Sequence, residues 1–160
     1  RHTQRRPMTA AATIRPIERA DQAAWRGLWD GYNEFYRRVG PDALPEAVTA
    51  ATWERFFDAS APMFALVAEL GGEVVGFVHY LYHLSTSRLT DVCYLQDLFT
   101  VEHLRGKGIA RQLIHATYDA ARAAGASRVY WQTHHTNGRA RLLYDQVAEH
   151  KGFIVYVHEL

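Results

Sequence analysis

Two hydrophobic periodicities alternate along this chain, and their order predicts a mixed α/β domain. A weak two-residue alternation in ATIRPI, residues 12–17, reads as a short first strand. Asp21 then opens a helix in which Trp25, Leu28, Trp29, Tyr32, Phe35 and Tyr36 recur at steps of three and four, ending near Gly40-Pro41. A shorter helix through Thr52, Trp53, Phe56 and Phe57 is closed by Pro62. The apolar runs MFALVAEL and EVVGFVHYLYHL flank Gly71-Gly72, the two-residue turn that β-hairpins favour. VCYLQDLFTV, residues 92–101, is the next strand. Residues 108–124 then place Ile109, Leu113, Ile114, Thr117 and Ala121 on one helical face. VYWQT (129–133) reads as a strand, residues 138 to about 151 as a helix, and FIVYVHEL as a terminal strand. The predicted order is β, α, α, β-hairpin, β, α, β, α, β: about six strands flanked by four helices.

With 160 residues the chain has the size of one ordinary domain, and it shows no internal repeat, low-complexity tract or linker. Residues 8–160 are read as that single domain and residues 1–7, RHTQRRP, as a vector remnant or disordered arm. Lys plus Arg (18) nearly balances Asp plus Glu (17), so the net charge of +1 argues against a nucleic-acid or membrane partner. Basic features must therefore be local. The single cysteine, Cys93, excludes a disulfide framework within the chain and lies in an apolar run, as a buried structural thiol would. No apolar stretch reaches the roughly 18 residues of a membrane span and no signal-peptide core is visible, which gives a cytoplasmic expectation.

One local feature is basic and glycine-rich. Arg105-Gly106-Lys107-Gly108-Ile109-Ala110 ends a strand and opens a helix. A helix N-terminus presents unpaired N–H groups and the positive end of the macrodipole, and glycines let a phosphate approach them. Spacing excludes a Walker A loop, since one residue separates Gly106 from Gly108. A dinucleotide fingerprint is excluded because the preceding strand follows an antiparallel hairpin. By itself the turn is equally a surface loop.

Further along, Asn137-Gly-Arg-Ala-Arg-Leu-Leu-Tyr144 places Asn137 at a helix start and Tyr144 two turns on. Together with R-x-x-G-x-A at 105–110, the strand YLQDLFTV before it and Gly152-Phe153 after it, the chain resembles the GNAT superfamily of acetyl-coenzyme A dependent N-acetyltransferases. The resemblance runs from about Ile14 to Tyr156 and is nearest to a branch of small histone, polyamine and D-amino-acid acetyltransferases. It implies a GNAT fold with strands splayed at the coenzyme A site. It also implies that the backbone of Leu98, Phe99 and Thr100 holds the pantetheine arm like an added strand. Backbone amides of Gly106, Lys107, Gly108, Ile109, Ala110 and Arg111 would hold the pyrophosphate. Arg105 matches the leading Arg/Gln position, Asn137 an asparagine that contacts coenzyme A, and Tyr144 the acid that protonates the departing thiolate. Asn137 as a helix N-cap is a parallel reading. Relatives are often dimers, so a homodimer is expected.

The implied chemistry needs neither metal nor covalent enzyme intermediate: a neutral amine attacks the thioester and a backbone N–H meets the oxyanion. Neutrality is the difficulty. A lysine-like amine is neutral at pH 7 in about one molecule in 2,500, worth about 4.6 kcal/mol, against about 1.4 kcal/mol for an α-amino group. Polyamine acetyltransferases carry Glu-Asp in this strand, where this chain has Gln96-Asp97. Asp97 can take the vacant role only if a bulge turns it inward; otherwise water serves, or the amine has a low pKa. Small amines, amino acids or polyamines, are therefore the expected substrates over protein lysines, with Gln96, Asp97, Tyr32 and Tyr36 around the amine. Tyr144 would need surroundings that narrow its gap to the thiolate. Phe35 and Trp131 are expected in the core. The nine histidines lack a convincing metal-ligand set and are expected at the surface or a pocket rim.

Overall fold

The computed structural model describes residues 11–160; residues 1–7, read as an arm, lie outside them. Five strands form one sheet in the order β1 (Thr13–Pro16), β2 (Met63–Leu70), β3 (Glu73–His83), β4 (Val92–Thr100) and β5 (Val129–Tyr130). The first four run antiparallel to their neighbours, and β5 joins β4 in parallel. Four helices complete the fold: α1 (Gln22–Phe35), α2 (Glu46–Arg55), α3 (Ile109–Ala123) and α4 (Gly138–Val147).

β2 and β3 are apolar on both faces because each face is covered. On one side Trp25, Trp29 and Tyr32 of α1 and Trp53 of α2 pack on Val67 and Phe77. On the other, Ile109, Leu113 and Ile114 of α3 pack on Leu66, Val78 and Leu95. Full burial of a side chain of this size contributes roughly 1.5–3 kcal/mol, so the sheet is held from both sides. The hairpin turns at Gly71 and Gly72 with φ of 58° and 81°, the left-handed pair that the tight turn requires. At Gly76, a Cβ would lie 2.9 Å from the Phe99 carbonyl oxygen, so glycine is what lets β3 and β4 approach there.

The α/β class and four helices match the expectation, while the sheet has five strands rather than about six. FIVYVHEL forms no strand: residues 148–160 carry no secondary structure, because no neighbouring strand satisfies their backbone. β5 is two residues long rather than five, since the chain parts from β4 after Tyr130. α1 stops at Phe35, where Arg37 adopts a left-handed φ of 58°. Phe35 is 55% exposed instead of buried, while Trp131 packs half-buried beside the α3 core.

Candidate active site

The site is built on an irregularity in β4. His79 of β3 faces Asp97 and the next pair is Tyr80 with Leu95, so Gln96 is an extra residue in β4. A bulge reverses which face the following side chains occupy. Without it Asp97 would share the α3 face with Leu95; with it, Asp97 points toward α1. This is the inward turn that the sequence made a condition for Asp97. Gln96 itself is exposed and makes no side-chain hydrogen bond among the described residues.

Asp97 is gripped on both oxygens. Tyr32 donates its hydroxyl to Oδ1 at 2.6 Å, and His79 Nδ1 lies 2.9 Å from Oδ2. Behind the histidine, Trp25 Nε1 donates to His79 Nε2 at 3.0 Å. An indole N–H can only donate, so Nε2 must accept and the ring proton sits on Nδ1, directed at Asp97. The hydrogen bonds from Trp25 through His79 and from Tyr32 thus converge on the Asp97 carboxylate. Burial first, and then the Asp97 carboxylate, push the Tyr32 hydroxyl well above the ordinary tyrosine range.

His79 was expected at a surface or rim and is instead 3% exposed, stacked on Phe77 at 4.3 Å. The signal was present: Phe77 and His79 are two apart in one strand and must share a face. Tyr32, expected around the amine, is buried, while Tyr36 is 45% exposed. Beside them stands Arg38, its guanidinium 5.9 Å from the Tyr32 ring centre and 5.5 Å from that of Tyr36. The left-handed Arg37 turns it back there, and Arg38 Nη1 donates to Asn33 Oδ1 at 3.2 Å.

Just before the bulge, β4 and β5 part. Their pairing ends at Tyr94 with Tyr130, leaving Leu98, Phe99 and Thr100 without a strand on that side. This is the splay expected of a coenzyme A site. At the end of β4 the turn takes the shape the glycines suggested, with Gly106 and Gly108 at φ of 77° and 86°. Nothing lies within 4 Å of a Cβ built on either, so glycine is used here for its backbone rather than for lack of room. Gly108 is the N-cap of α3 and has no side chain to cap with. The first N–H groups of α3 therefore face outward with the macrodipole behind them, a fit for a pyrophosphate.

Not every residue of the expected set is free to hold one. Arg105 Nε donates to the Thr100 carbonyl at 3.1 Å and its guanidinium covers Phe99 at 5.4 Å, so it braces the turn from within. Arg111 donates to Gln146 of α4. Lys107 is exposed. Asn137 is the N-cap residue of α4 by position, but its side chain makes no cap bond; Nδ2 donates to Thr133 Oγ1 at 3.2 Å.

Tyr144 is half-buried, edge-on to Trp131 at 5.5 Å, and has no hydrogen-bond partner among the described residues. Burial, with a smaller effect of Tyr36, pushes its hydroxyl up to about 12. Tyr94 of β4 is raised by burial too, and feels Tyr130, Asp97 and Tyr36. Among the described residues no three His, Cys, Asp or Glu gather as metal ligands would, and no helix is long and apolar enough to cross a membrane. Cys93 is fully buried, its thiol pushed up to about 12 by that burial.

The acetyltransferase (GNAT) family profile matches residues 25–148. The D-amino-acid N-acetyltransferase HPA3 of Saccharomyces cerevisiae is 37% identical over 145 residues, covering 89% of this chain and 88% of that protein. The uncharacterized N-acetyltransferase YhfO of Bacillus subtilis is 35% identical, covering 89% and 94%. Among solved structures, an aminoglycoside N-acetyltransferase, AAC(6')-Iy, in complex with CoA superposes with a TM-score of 0.79 at 18% identity, covering 96% of this chain and 97% of that one.

Proposed function

Because the chain belongs to the GNAT family of N-acetyltransferases, we propose that it moves the acetyl group of acetyl-coenzyme A onto the primary amine of a small molecule, a free amino acid before a polyamine. The observation that carries this reading is Asp97, turned toward α1 by the Gln96 bulge and held by His79 and Tyr32.

The cofactor's thioester supplies an activated acetyl group; the rest falls to the protein. The turn at Gly106–Gly108 and the first amides of α3 hold the pyrophosphate, and the open side of β4 takes the pantetheine arm as an added strand. A backbone N–H of that strand meets the oxyanion. Asp97, already accepting two hydrogen bonds, keeps lone pairs for a third donor, the substrate ammonium. The ammonium first gives one proton to water and the neutral amine attacks; as the C–N bond forms the nitrogen becomes strongly acidic, and its second proton passes to Asp97 or to water beside it.

Tyr144 suits the acid role in one respect: at about 12 it is fully protonated at neutral pH. The expectation that its surroundings narrow the gap to a thiolate is reversed, since burial widens it. Against an ordinary thiol near 8.5 the gap is about 3.5, or ~4.8 kcal/mol. Desolvation raises thiols as well, and Cys93 of this chain reaches about 12 by burial alone. A coenzyme A thiolate drawn into dry surroundings is raised in the same direction, which narrows the gap.

Two features favour an amino acid. Its α-amine carries the smaller neutralisation penalty, and Arg38 lies across Tyr32 from Asp97. A zwitterion places its ammonium on Asp97 and its carboxylate toward Arg38, whereas a polyamine meets a repelling guanidinium. The D-amino-acid activity in the name of the yeast relative supports the same class. The test is coenzyme A release from acetyl-coenzyme A over D- and L-amino acids, polyamines, aminoglycosides and a lysine peptide. Turnover with the peptide and none with the free small amines would overturn the proposal.

A further inference from the structure

Behind Asp97 the hydrogen bonds run inward and stop. The His79 ring packs among Phe77 at 4.3 Å, Phe56 at 4.8 Å and Trp29 at 5.4 Å, which hold it in one orientation. Each of its nitrogens has one polar partner: Asp97 Oδ2 lies 2.9 Å from Nδ1, and Trp25 Nε1 lies 3.0 Å from Nε2. Trp25 is buried and packed against Trp29, Trp53 and Phe56, so the indole has no room to swing away.

A histidine beside an aspartate commonly moves protons, taking one at one nitrogen and giving one up at the other. Two atoms forbid that here. Nδ1 already carries the ring proton, and Nε2 faces an N–H that can only donate. The other partner of the carboxylate, Tyr32, brings a proton of its own to Oδ1. A proton that Asp97 takes from the substrate nitrogen therefore finds no acceptor in His79, and it returns to solvent by the side on which it arrived.

We propose that His79 is a positioning residue for acetyl transfer, one that donates to Asp97 Oδ2 and never receives the Asp97 proton, and that Trp25 enforces this by keeping the ring proton on Nδ1. The fixed donor anchors one carboxylate oxygen and leaves the remaining lone pairs to the amine. The inference rests on the reading that Asp97 meets the substrate amine. Two substitutions at 79 separate donation from proton passing and from packing. The amide nitrogen of asparagine can take the place of Nδ1 and donate, but it passes no proton; leucine fills the space and donates nothing. Both leave the Trp25 N–H without its acceptor, so that loss cancels between them.

The test is kcat/KM for the best amino acid of the screen in folded His79→Leu and His79→Asn variants. His79→Leu should lose about 10- to 100-fold, the worth of one charge-assisted hydrogen bond, and His79→Asn should recover all but about fivefold of it. A larger loss in His79→Asn overturns the proposal, since a proton-passing histidine is what an amide cannot replace. Equal activity in the two variants overturns it as well, since packing alone would then matter. Nitrogen NMR of the His79 ring reads the tautomer directly, with Nδ1 protonated and Nε2 bare expected in the parent and in Asp97→Asn. There the amide at 97 can accept from Nδ1 or donate to it, so Trp25 alone decides. A proton on Nε2 in either protein overturns the proposal, and should the His79 variants fail to fold this measurement decides by itself. If Asp97→Asn keeps its activity, the reading of Asp97 falls and the inference with it; if Asp97→Asn loses activity while the two His79 variants behave alike, the inference falls alone.

Discussion

Asp97→Asn removes one charge and almost no volume, and the surrounding hydrogen bonds dictate what happens next. His79 cannot switch tautomers, because Trp25 occupies Nε2 from a donor-only indole at 3.0 Å. Its Nδ1–H must still find an acceptor, so the new amide turns its oxygen to His79 and its NH₂ to the Tyr32 oxygen, 2.6 Å from Oδ1 in the parent. The network survives with reversed sense at Tyr32, and two charge-assisted bonds become neutral ones. Bonds to charged groups contribute about 1.5–3 kcal/mol against about 1 for neutral ones, so a stability loss of roughly 1–3 kcal/mol is expected, small enough to leave a folded protein. The catalytic loss is larger. An amide neither attracts the ammonium nor accepts its proton, and removal of a positioned base lowers rate about 10²–10⁴-fold. The assay is kcat/KM for the best amino acid of the screen, with acetyl-coenzyme A binding measured separately by calorimetry. Binding should stay within about twofold, since the proposed cradle is the turn at Gly106–Gly108. Turnover within threefold of the parent, in a variant shown to be folded, would refute the assignment of Asp97 and return the proton to water.

Tyr144→Phe should lower kcat by about 10²-fold or more while leaving the affinity for coenzyme A unchanged. The acid form of Tyr144 is present below its pKa of about 12 and is lost only as pH rises through that value. The rate of the parent enzyme should therefore climb with pH to the amine's own pKa and show no descending limb from Tyr144 below about pH 11, as an initial-rate profile will reveal. Arg38→Gln should lower kcat/KM for a free amino acid by about 10- to 100-fold, the worth of one charge-assisted contact. It should leave the corresponding amino-acid amide unaffected and improve polyamines. Equal losses for acid and amide would remove Arg38 from carboxylate recognition. Gly108→Ala, at φ of 86°, should destabilise the fold by about 1–2 kcal/mol and weaken coenzyme A binding, readable by thermal melting and calorimetry.

How much of this was legible in the sequence depended on whether a feature was written in local chemistry or in pairing. The hairpin at Gly71-Gly72 and the turn at Gly106–Gly108 could be read because glycine is the residue that takes a positive φ freely, and all four do. Trp25 and Trp29 fell on the core face because helical spacing alone puts them there. The bulge at Gln96 could be named only as a condition, since it depends on which residue of β3 faces which residue of β4, and YLQDLF reads equally well in either phase. His79 was missed for a related reason: a histidine's polarity speaks for the surface, and only its partners, Trp25 and Asp97, 54 and 18 positions away, make burial affordable. FIVYVHEL shows the limit most clearly. Its composition is that of a strand, yet a strand is a property of a pair, and no partner within the described chain lies beside it. The pattern specified what the segment can do, and the chain by itself offers nothing to do it with.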